Sequence, residues 1–149
     1  MSLQNDIMAA MKTAMKAKDQ TALTALRAVK SAILLAQTES GAKEDLTEEQ
    51  ELKILQKQVK QRKDSAAIFL EQGREDLATP ELAEAEVIGQ FLPEAMSDED
   101  IEKVVIKTIE TLGASGMKDM GKVMGVVSKE LAGKADGKTI STIVKQQLL

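Results

Sequence analysis

Apolar residues recur every three or four positions along almost the whole chain, and strand-like alternation of apolar and polar residues is nearly absent. This spacing puts apolar side chains on one face of an α-helix, which turns about 100° per residue. The pattern predicts an all-α fold, with helices over about 2–17, 21–38, 47–73, 80–92, 97–113, 117–131 and 136–149. The second helix is apolar on more than one side, so we expect it to be central and to stop at Gly41.

Residues with known end preferences mark several of these helix boundaries. Thr47 and Gln50 have the spacing of a capping box, in which two side chains bind otherwise unpaired amides. Gly73 suits the left-handed position that ends the third helix. Pro80 suits the first position of the fourth helix, and Asp136 suits the N-cap of the last one.

The residue pattern changes near Pro93 to Met96. We therefore predict two helical domains, a four-helix N-terminal domain over residues 1–93 and a small three-helix C-terminal domain over 94–149. A unit of about 55 residues is only marginally stable alone. We expect it to rely on the first domain or on a partner.

Composition removes most of the familiar catalytic chemistry. The chain has 149 residues, and it contains no cysteine and no histidine. It therefore lacks a thiol nucleophile, an imidazole base and the preferred ligands of zinc and haem. No phosphate loop, nucleophile elbow or dinucleotide fingerprint is found. We expect no catalytic residue, no metal and no cofactor.

Two further classes of function are disfavoured by composition. With two Phe and no Trp or Tyr, the chain has no platform on which single-stranded bases stack. No apolar run approaches the roughly 20 residues of a membrane span, and the N-terminus has helical rather than signal-peptide character. We expect no membrane association and a cytosolic location, which the absence of cysteine fits. The oligomeric state stays open.

Charge is distributed unevenly in a chain whose net charge is −4. From Glu94 to Leu112 there are six acids and two lysines, whereas from Gly113 to Leu149 there are six lysines and three acids. The helical repeat brings the lysines of each of the last two helices within about 40° of one another. The six are Lys118, Lys122, Lys129, Lys134, Lys138 and Lys145. They are candidate contacts for a phosphate backbone, and the alternative is a solvated face that keeps the protein soluble.

Gly121 and Gly125 lie four residues apart inside a predicted helix, where each glycine costs about 1 kcal/mol relative to alanine. Close packing against another helix is the favoured explanation, and close approach of an RNA backbone is the alternative. A methionine stripe on the same helix, Met117, Met120 and Met124, is interpreted as core.

Arg62 interrupts the apolar seam of the third predicted helix, between Val59 and Ala66. The favoured interpretation is an ion pair with one of three glutamates of the fourth helix, Glu81, Glu84 or Glu86. Contact with a ligand is the alternative role for Arg62 and Glu84.

Two segments carry a family resemblance. VKQRKDSAAIFLEQGREDLATPELAEAEVIGQFLPEAMS, residues 59–97, and GASGMKDMGKVMGVVSKELAGKADGKTISTIVKQQL, residues 113–148, are similar to the YqeY family. The similarity extends over the whole chain. That family in turn resembles the C-terminal part of the tRNA-dependent amidotransferase B subunit, known as the GatB/YqeY module.

The resemblance implies an all-helical two-domain fold and a tRNA-linked role through Lys122, Lys134 and their neighbours. In the amidotransferase this region contributes to gripping tRNA, while a separate domain activates the acylated tRNA with ATP. The present chain lacks that catalytic domain, with its nucleotide and metal site. It also lacks the Gly/Ser-rich nucleophile region of the amidase subunit.

Three functions follow from these observations. The first is a non-catalytic module that binds tRNA or another folded RNA and works with an amidotransferase or a translation-related protein. The second is a carbon–nitrogen ligase with glutamine as amido donor, acting as an accessory subunit. The third is a protein-interaction scaffold.

Overall fold

The computed structural model describes residues 2–39 and 45–149. Within them the chain is all-helical and contains no strand, which confirms the predicted fold class. The elements are α1 (Leu3–Ala17), α2 (Gln20–Glu39), α3 (Glu48–Glu71), α4 (Glu75–Gly89), α5 (Asp98–Leu112), a 3₁₀ turn (Met117–Asp119), α6 (Met120–Glu130) and α7 (Gly137–Leu148). The predicted stop at Gly41 lies outside the described residues.

The predicted caps are present. The Thr47 hydroxyl accepts the Gln50 N–H at 3.2 Å, and Gln50 Oε1 accepts the Thr47 N–H at 2.8 Å, which completes the capping box of α3. Asp136 Oδ1 accepts the Thr139 N–H at 2.6 Å at the start of α7. Gly73 follows α3 with φ +70°, the left-handed conformation that glycine adopts without steric cost.

The prediction that Pro80 opens the fourth helix is wrong. Helix α4 begins at Glu75, and Pro80 lies inside it, in the second turn. Gly73 reverses the chain directly after α3, and Glu75 and Asp76 follow, where carboxylates favour the first turn of a helix. Early acidic residues thus start the helix one turn before the proline.

Contacts between Cα atoms divide the chain into two compact units, residues 1–92 and 93–149. That these units fold independently, as the predicted domains 1–93 and 94–149, stays a prediction.

Unit 1 contains the hairpin of α1 and α2 and the hairpin of α3 and α4. Gln4 Nε2 donates to Gln37 Oε1 at 3.2 Å, so α1 and α2 run antiparallel. Helix α2 supplies most of the buried side chains of this core: Ala22, Leu23, Ala25, Leu26, Val29 and Ile33. This confirms its predicted central position. Helices α3 and α4 also bury alanines against each other, including Ala66, Ala78 and Ala85.

Unit 2 is formed by α5, α6 and α7, each of which packs on the other two. The core contains Ile101 and Val105 of α5, Val123 and Val127 of α6, and a set from α7. The α7 members are Ile140, Ile143, Val144 and Leu148. None of the described helices is long and apolar enough to cross a membrane.

Candidate nucleic-acid interface

Helix α6 has one buried face and one open face. Val123 and Val127 are fully buried in the core of unit 2. The residues about 100–200° away around the helix are exposed: Gly121, Lys122, Gly125 and Lys129. The segregation follows from the sequence, because valines at i and i+4 define one stripe and fix the opposite stripe as solvent-facing. The α6 lysines therefore project away from the core.

All six candidate lysines are exposed. None forms an ion pair with a carboxylate in the part of the chain that the structure describes. Their distribution is Lys118 in the 3₁₀ turn, Lys122 and Lys129 on α6, Lys134 in the next loop, and Lys138 and Lys145 on α7. Six unpaired ammonium groups on a unit of this size leave the positive charge available to an anionic partner.

The loop that carries Lys134 is fixed by its backbone. The Lys134 N–H donates to the Leu131 carbonyl at 2.9 Å, and the Lys134 carbonyl accepts the Met96 N–H at 2.9 Å. Gly133 precedes it with φ +80° and is buried. The ammonium of Lys134 is thus presented from a defined turn between α6 and α7.

Lys138 differs from the other five lysines in its surroundings. It lines a groove of about 350 Å³ between α5 and α7 together with Asp98 and Glu102. A phosphate beside Lys138 would approach two carboxylates, which repel it. We therefore expect Lys138 to contribute less to anion binding than Lys122 or Lys134.

Two cations that the sequence analysis did not select lie on α5. Lys103 and Lys107 line a second groove, between α5 and α6, together with Val126 and Glu130. Their i, i+4 spacing was the available signal, but the six acids around them in the sequence concealed it. In the fold they face α6 and extend the cationic surface beyond the predicted set.

The preferred explanation for the two glycines is wrong. An added Cβ at Gly121 or Gly125 would meet no atom within 4 Å, so no element of this chain packs closely against them. Both are on the open face of α6. Approach of an RNA backbone to them stays a prediction. The methionine stripe is divided, since Met120 and Met124 pack against the core of unit 2 and Met117 is 42% exposed.

We expect Gly121→Ala and Gly125→Ala each to stabilise the protein. Alanine gains about 1 kcal/mol over glycine in a helix interior, and nothing in the fold opposes the added methyl group. Urea unfolding followed by circular dichroism measures the change. Gly113→Ala is the control, because φ is +61° there and the substitution should destabilise. A loss of stability in either α6 variant would contradict the open face.

Arg62 forms a mostly buried ion pair with Glu84, one of the three glutamates considered. Arg62 Nε lies 3.7 Å from Glu84 Oε2, and the two side chains are 13% and 15% exposed. Arg62 Nη1 donates to the Gln58 carbonyl at 3.1 Å and to Gln58 Oε1 at 2.7 Å. Arg62 Nε itself is buried and has no hydrogen-bond acceptor within the described residues. The pair joins α3 to α4.

The environment of Glu84 disfavours its charged form. Burial raises the pKa of the Glu84 carboxyl above its ordinary value, and repulsion from Glu81 adds to the rise. Attraction to Arg62 opposes both effects without cancelling them. The guanidinium is therefore what keeps this carboxylate tolerable in the fold.

No group of three or more metal-ligating side chains is found within residues 2–39 and 45–149. The expectation that the protein works without metal or cofactor stays a prediction.

Comparison with known proteins places the chain in a family. It matches the YqeY family, described as Yqey-like protein, over residues 4–148. The chain belongs to this family, and the resemblance found in the sequence is confirmed.

Two relatives match most of the chain. They are proteins named altered inheritance of mitochondria protein 41, mitochondrial. The protein from Clavispora lusitaniae is 36% identical over 124 residues, covering 81% of this chain and 69% of the relative. The one from Saccharomyces cerevisiae is 33% identical over 135 residues, covering 89% and 69%. The predicted cytosolic location is contradicted by these names, which place both relatives in mitochondria.

A third relative matches only part of the chain. It is a glutamyl-tRNA(Gln) amidotransferase subunit from Thermococcus gammatolerans, and it is 37% identical over 73 residues. These residues make up 46% of this chain and 12% of the relative. The similarity therefore covers a small part of a much larger protein.

Proposed function

We propose that this protein is a non-catalytic RNA-binding adaptor that holds tRNA, or another folded RNA, through the cationic surface of unit 2. The observation that carries the proposal is the set of exposed lysines without ion pairs on α6, α7 and the connecting loop. Lysines at these positions contact phosphates and fix the orientation of an RNA without reading its bases.

The arrangement of the lysines suits a folded RNA better than a small anion. Lys122 and Lys129 project from the open face of α6, and Lys134 projects from the following turn. An extended set of point charges on rigid elements fits a row of phosphates, whereas a single phosphate ion requires several donors converging on one point. Recognition of shape and backbone is typical of double-stranded RNA contacts.

The similarity to part of a glutamyl-tRNA(Gln) amidotransferase supports a tRNA-linked role. We propose association with an amidotransferase, in which this chain would contribute to RNA binding while another protein of the complex performs the chemistry.

The direct test is titration of a labelled tRNA with the intact protein at low salt, followed by fluorescence anisotropy. Saturable binding that an unlabelled folded RNA displaces is the expected result. No affinity at low salt would remove the RNA-binding proposal and favour the scaffold function.

We expect the purified protein to release no glutamate from glutamine in the presence of ATP, magnesium and misacylated tRNA. Glutamine hydrolysis requires an activated nucleophile, and the chain has neither cysteine nor histidine to supply one or to act as its base. An enzyme-coupled glutamate assay measures the release. Turnover that follows this polypeptide through further purification would favour the carbon–nitrogen ligase function instead.

A further inference from the structure

Helix α1 carries an exposed apolar stripe that the RNA-binding function does not use. Met8 and Met15 are 49% and 54% exposed, and Met11 is partly buried against the core of unit 1. On a helix the three lie within about 60° of one another. We call these residues the methionine face. The core side of α1 is formed instead by Ile7 and Ala14, which are buried.

The methionine face is chemically suited to a protein partner. Methionine is flexible and polarisable, so exposed methionines adapt to apolar side chains of varied shape. Exposed apolar side chains repeated at helical spacing are typical of a surface that receives an amphipathic helix. Phosphates and sugars of RNA gain little from thioether contacts, so this surface does not suit a nucleic acid.

The charges around the methionine face select the sign of the partner. Lys12 and Lys16 lie on the solvent side of the stripe, and both are exposed. Helix α2, which packs on α1, adds exposed Arg27 and Lys30, with Leu34 48% exposed beside them. None of these four cations forms an ion pair within the described residues.

Acidic side chains are nearly missing from this hairpin. Between Ile7 and Thr38 the only acid is Asp19, against five cations. Asp19 Oδ1 accepts the Ala22 N–H at 3.0 Å, so this carboxylate caps the start of α2. A region of positive charge on a chain of net charge −4 is thus left without a counter-charge of its own.

We propose that the methionine face and the cations beside it form the docking site for an acidic amphipathic helix of a partner protein. The apolar side of that helix packs on Met8, Met11 and Met15. Its glutamates and aspartates pair with Lys12 and Lys16 along the edge, and this charge pairing sets the orientation of the helix. The site is separate from the lysines of unit 2, so the docking of a protein and the binding of RNA do not depend on each other.

The test uses the full chain labelled with ¹³C at the methionine methyl groups. The probe is a synthetic helical peptide of about sixteen residues, with leucines at i, i+3, i+4 and i+7 spacing and glutamates on the other face. The expected result is a saturable shift of the methyl signals of Met8, Met11 and Met15. The signals of Met117, Met120 and Met124, which lie in unit 2, should stay in place and serve as internal references.

Two variants separate the apolar and ionic contributions. Met8→Gln/Met15→Gln should weaken peptide binding at least about tenfold by removing the apolar contacts. Lys12→Glu/Lys16→Glu should weaken it to a similar extent by reversing the edge charges. Met117→Gln is the matched control, because Met117 is 42% exposed and lies in unit 2. Circular dichroism shows whether each variant keeps its helices.

Several results would overturn the proposal. They are the absence of methyl shifts with the acidic peptide, equal binding of a peptide with lysines in place of its glutamates, and displacement of the acidic peptide from the methionine face by RNA. Self-association of the free protein that Met8→Gln/Met15→Gln abolishes would assign the face to a second copy of the chain. Loss of tRNA binding alone would contradict the proposed function and leave the docking site intact.

Discussion

The affinity for tRNA should fall about a thousandfold when salt is raised from 50 to 200 mM, if all six lysines contact phosphates. Each contact releases condensed counterions and adds up to about one unit to the slope of log K against log salt. The lysines are exposed and form no ion pairs among the described residues, so their charges need not be withdrawn from another partner before binding. The measurement is fluorescence anisotropy across a series of salt concentrations.

A double substitution locates these contacts. Lys122→Gln/Lys134→Gln removes one lysine from the open face of α6 and one from the fixed turn, so it should weaken binding and flatten the slope by about two units. Lys138→Gln should have a smaller effect, because Asp98 and Glu102 share the groove that Lys138 lines. Helical content should stay unchanged in every variant.

The matched control is Lys12→Gln/Lys16→Gln, which changes the net charge by the same amount in unit 1. It should leave the tRNA slope almost unaltered. If the two double variants weaken binding equally, attraction is set by net charge alone and the surface of unit 2 is not the interface.

Arg62→Ala should destabilise the protein by about 3 kcal/mol at neutral pH. The substitution leaves the Glu84 carboxylate in a mostly buried site without its cation, and it also leaves the acceptors on Gln58 without their donor. Lys63→Ala is the control, since Lys63 is the next residue on α3 and is exposed. It should change the free energy of unfolding by less than about 0.5 kcal/mol. Urea unfolding measures both values.

The pH dependence identifies the stranded carboxylate as the cause. Burial already raises the pKa of Glu84 in the folded protein, and removal of Arg62 takes away the attraction that opposes this rise. A carboxyl whose pKa is raised by folding lowers the free energy of unfolding as pH increases from its unfolded pKa through its folded pKa. The deficit of Arg62→Ala should therefore be largest at neutral pH and shrink near pH 4, where Glu84 is protonated.

A compensating variant completes this test. Arg62→Met/Glu84→Leu replaces both charges by apolar groups of similar size and should recover most of the lost stability, as buried ion pairs often tolerate such replacement. If Arg62→Ala is as stable as the parent protein but loses binding, Arg62 is a ligand contact rather than a bridge between α3 and α4.

Local sequence signals predicted the helix ends accurately wherever a cap depends on neighbours in the chain. The capping box at Thr47, the left-handed glycine after α3 and the Asp136 cap all involve residues three or four positions apart. Pro80 shows where a local rule failed. A preference for the first helical turn does not forbid a position a few residues later, and the acids after Gly73 start α4 earlier.

The sequence by itself determined the all-helical class, the caps and the family, because helical periodicity and end signals act over one or two turns. It also fixed which residues of α6 face solvent, once Val123 and Val127 were known to be core. The sequence did not determine which elements meet. Only the tertiary structure selected Glu84 from three glutamates, placed Lys138 beside two acids of α5 and left Gly121 and Gly125 without a packing neighbour. Each of these outcomes depends on the distance between residues far apart in the chain, which the packing of helices sets and the period of a single helix does not contain.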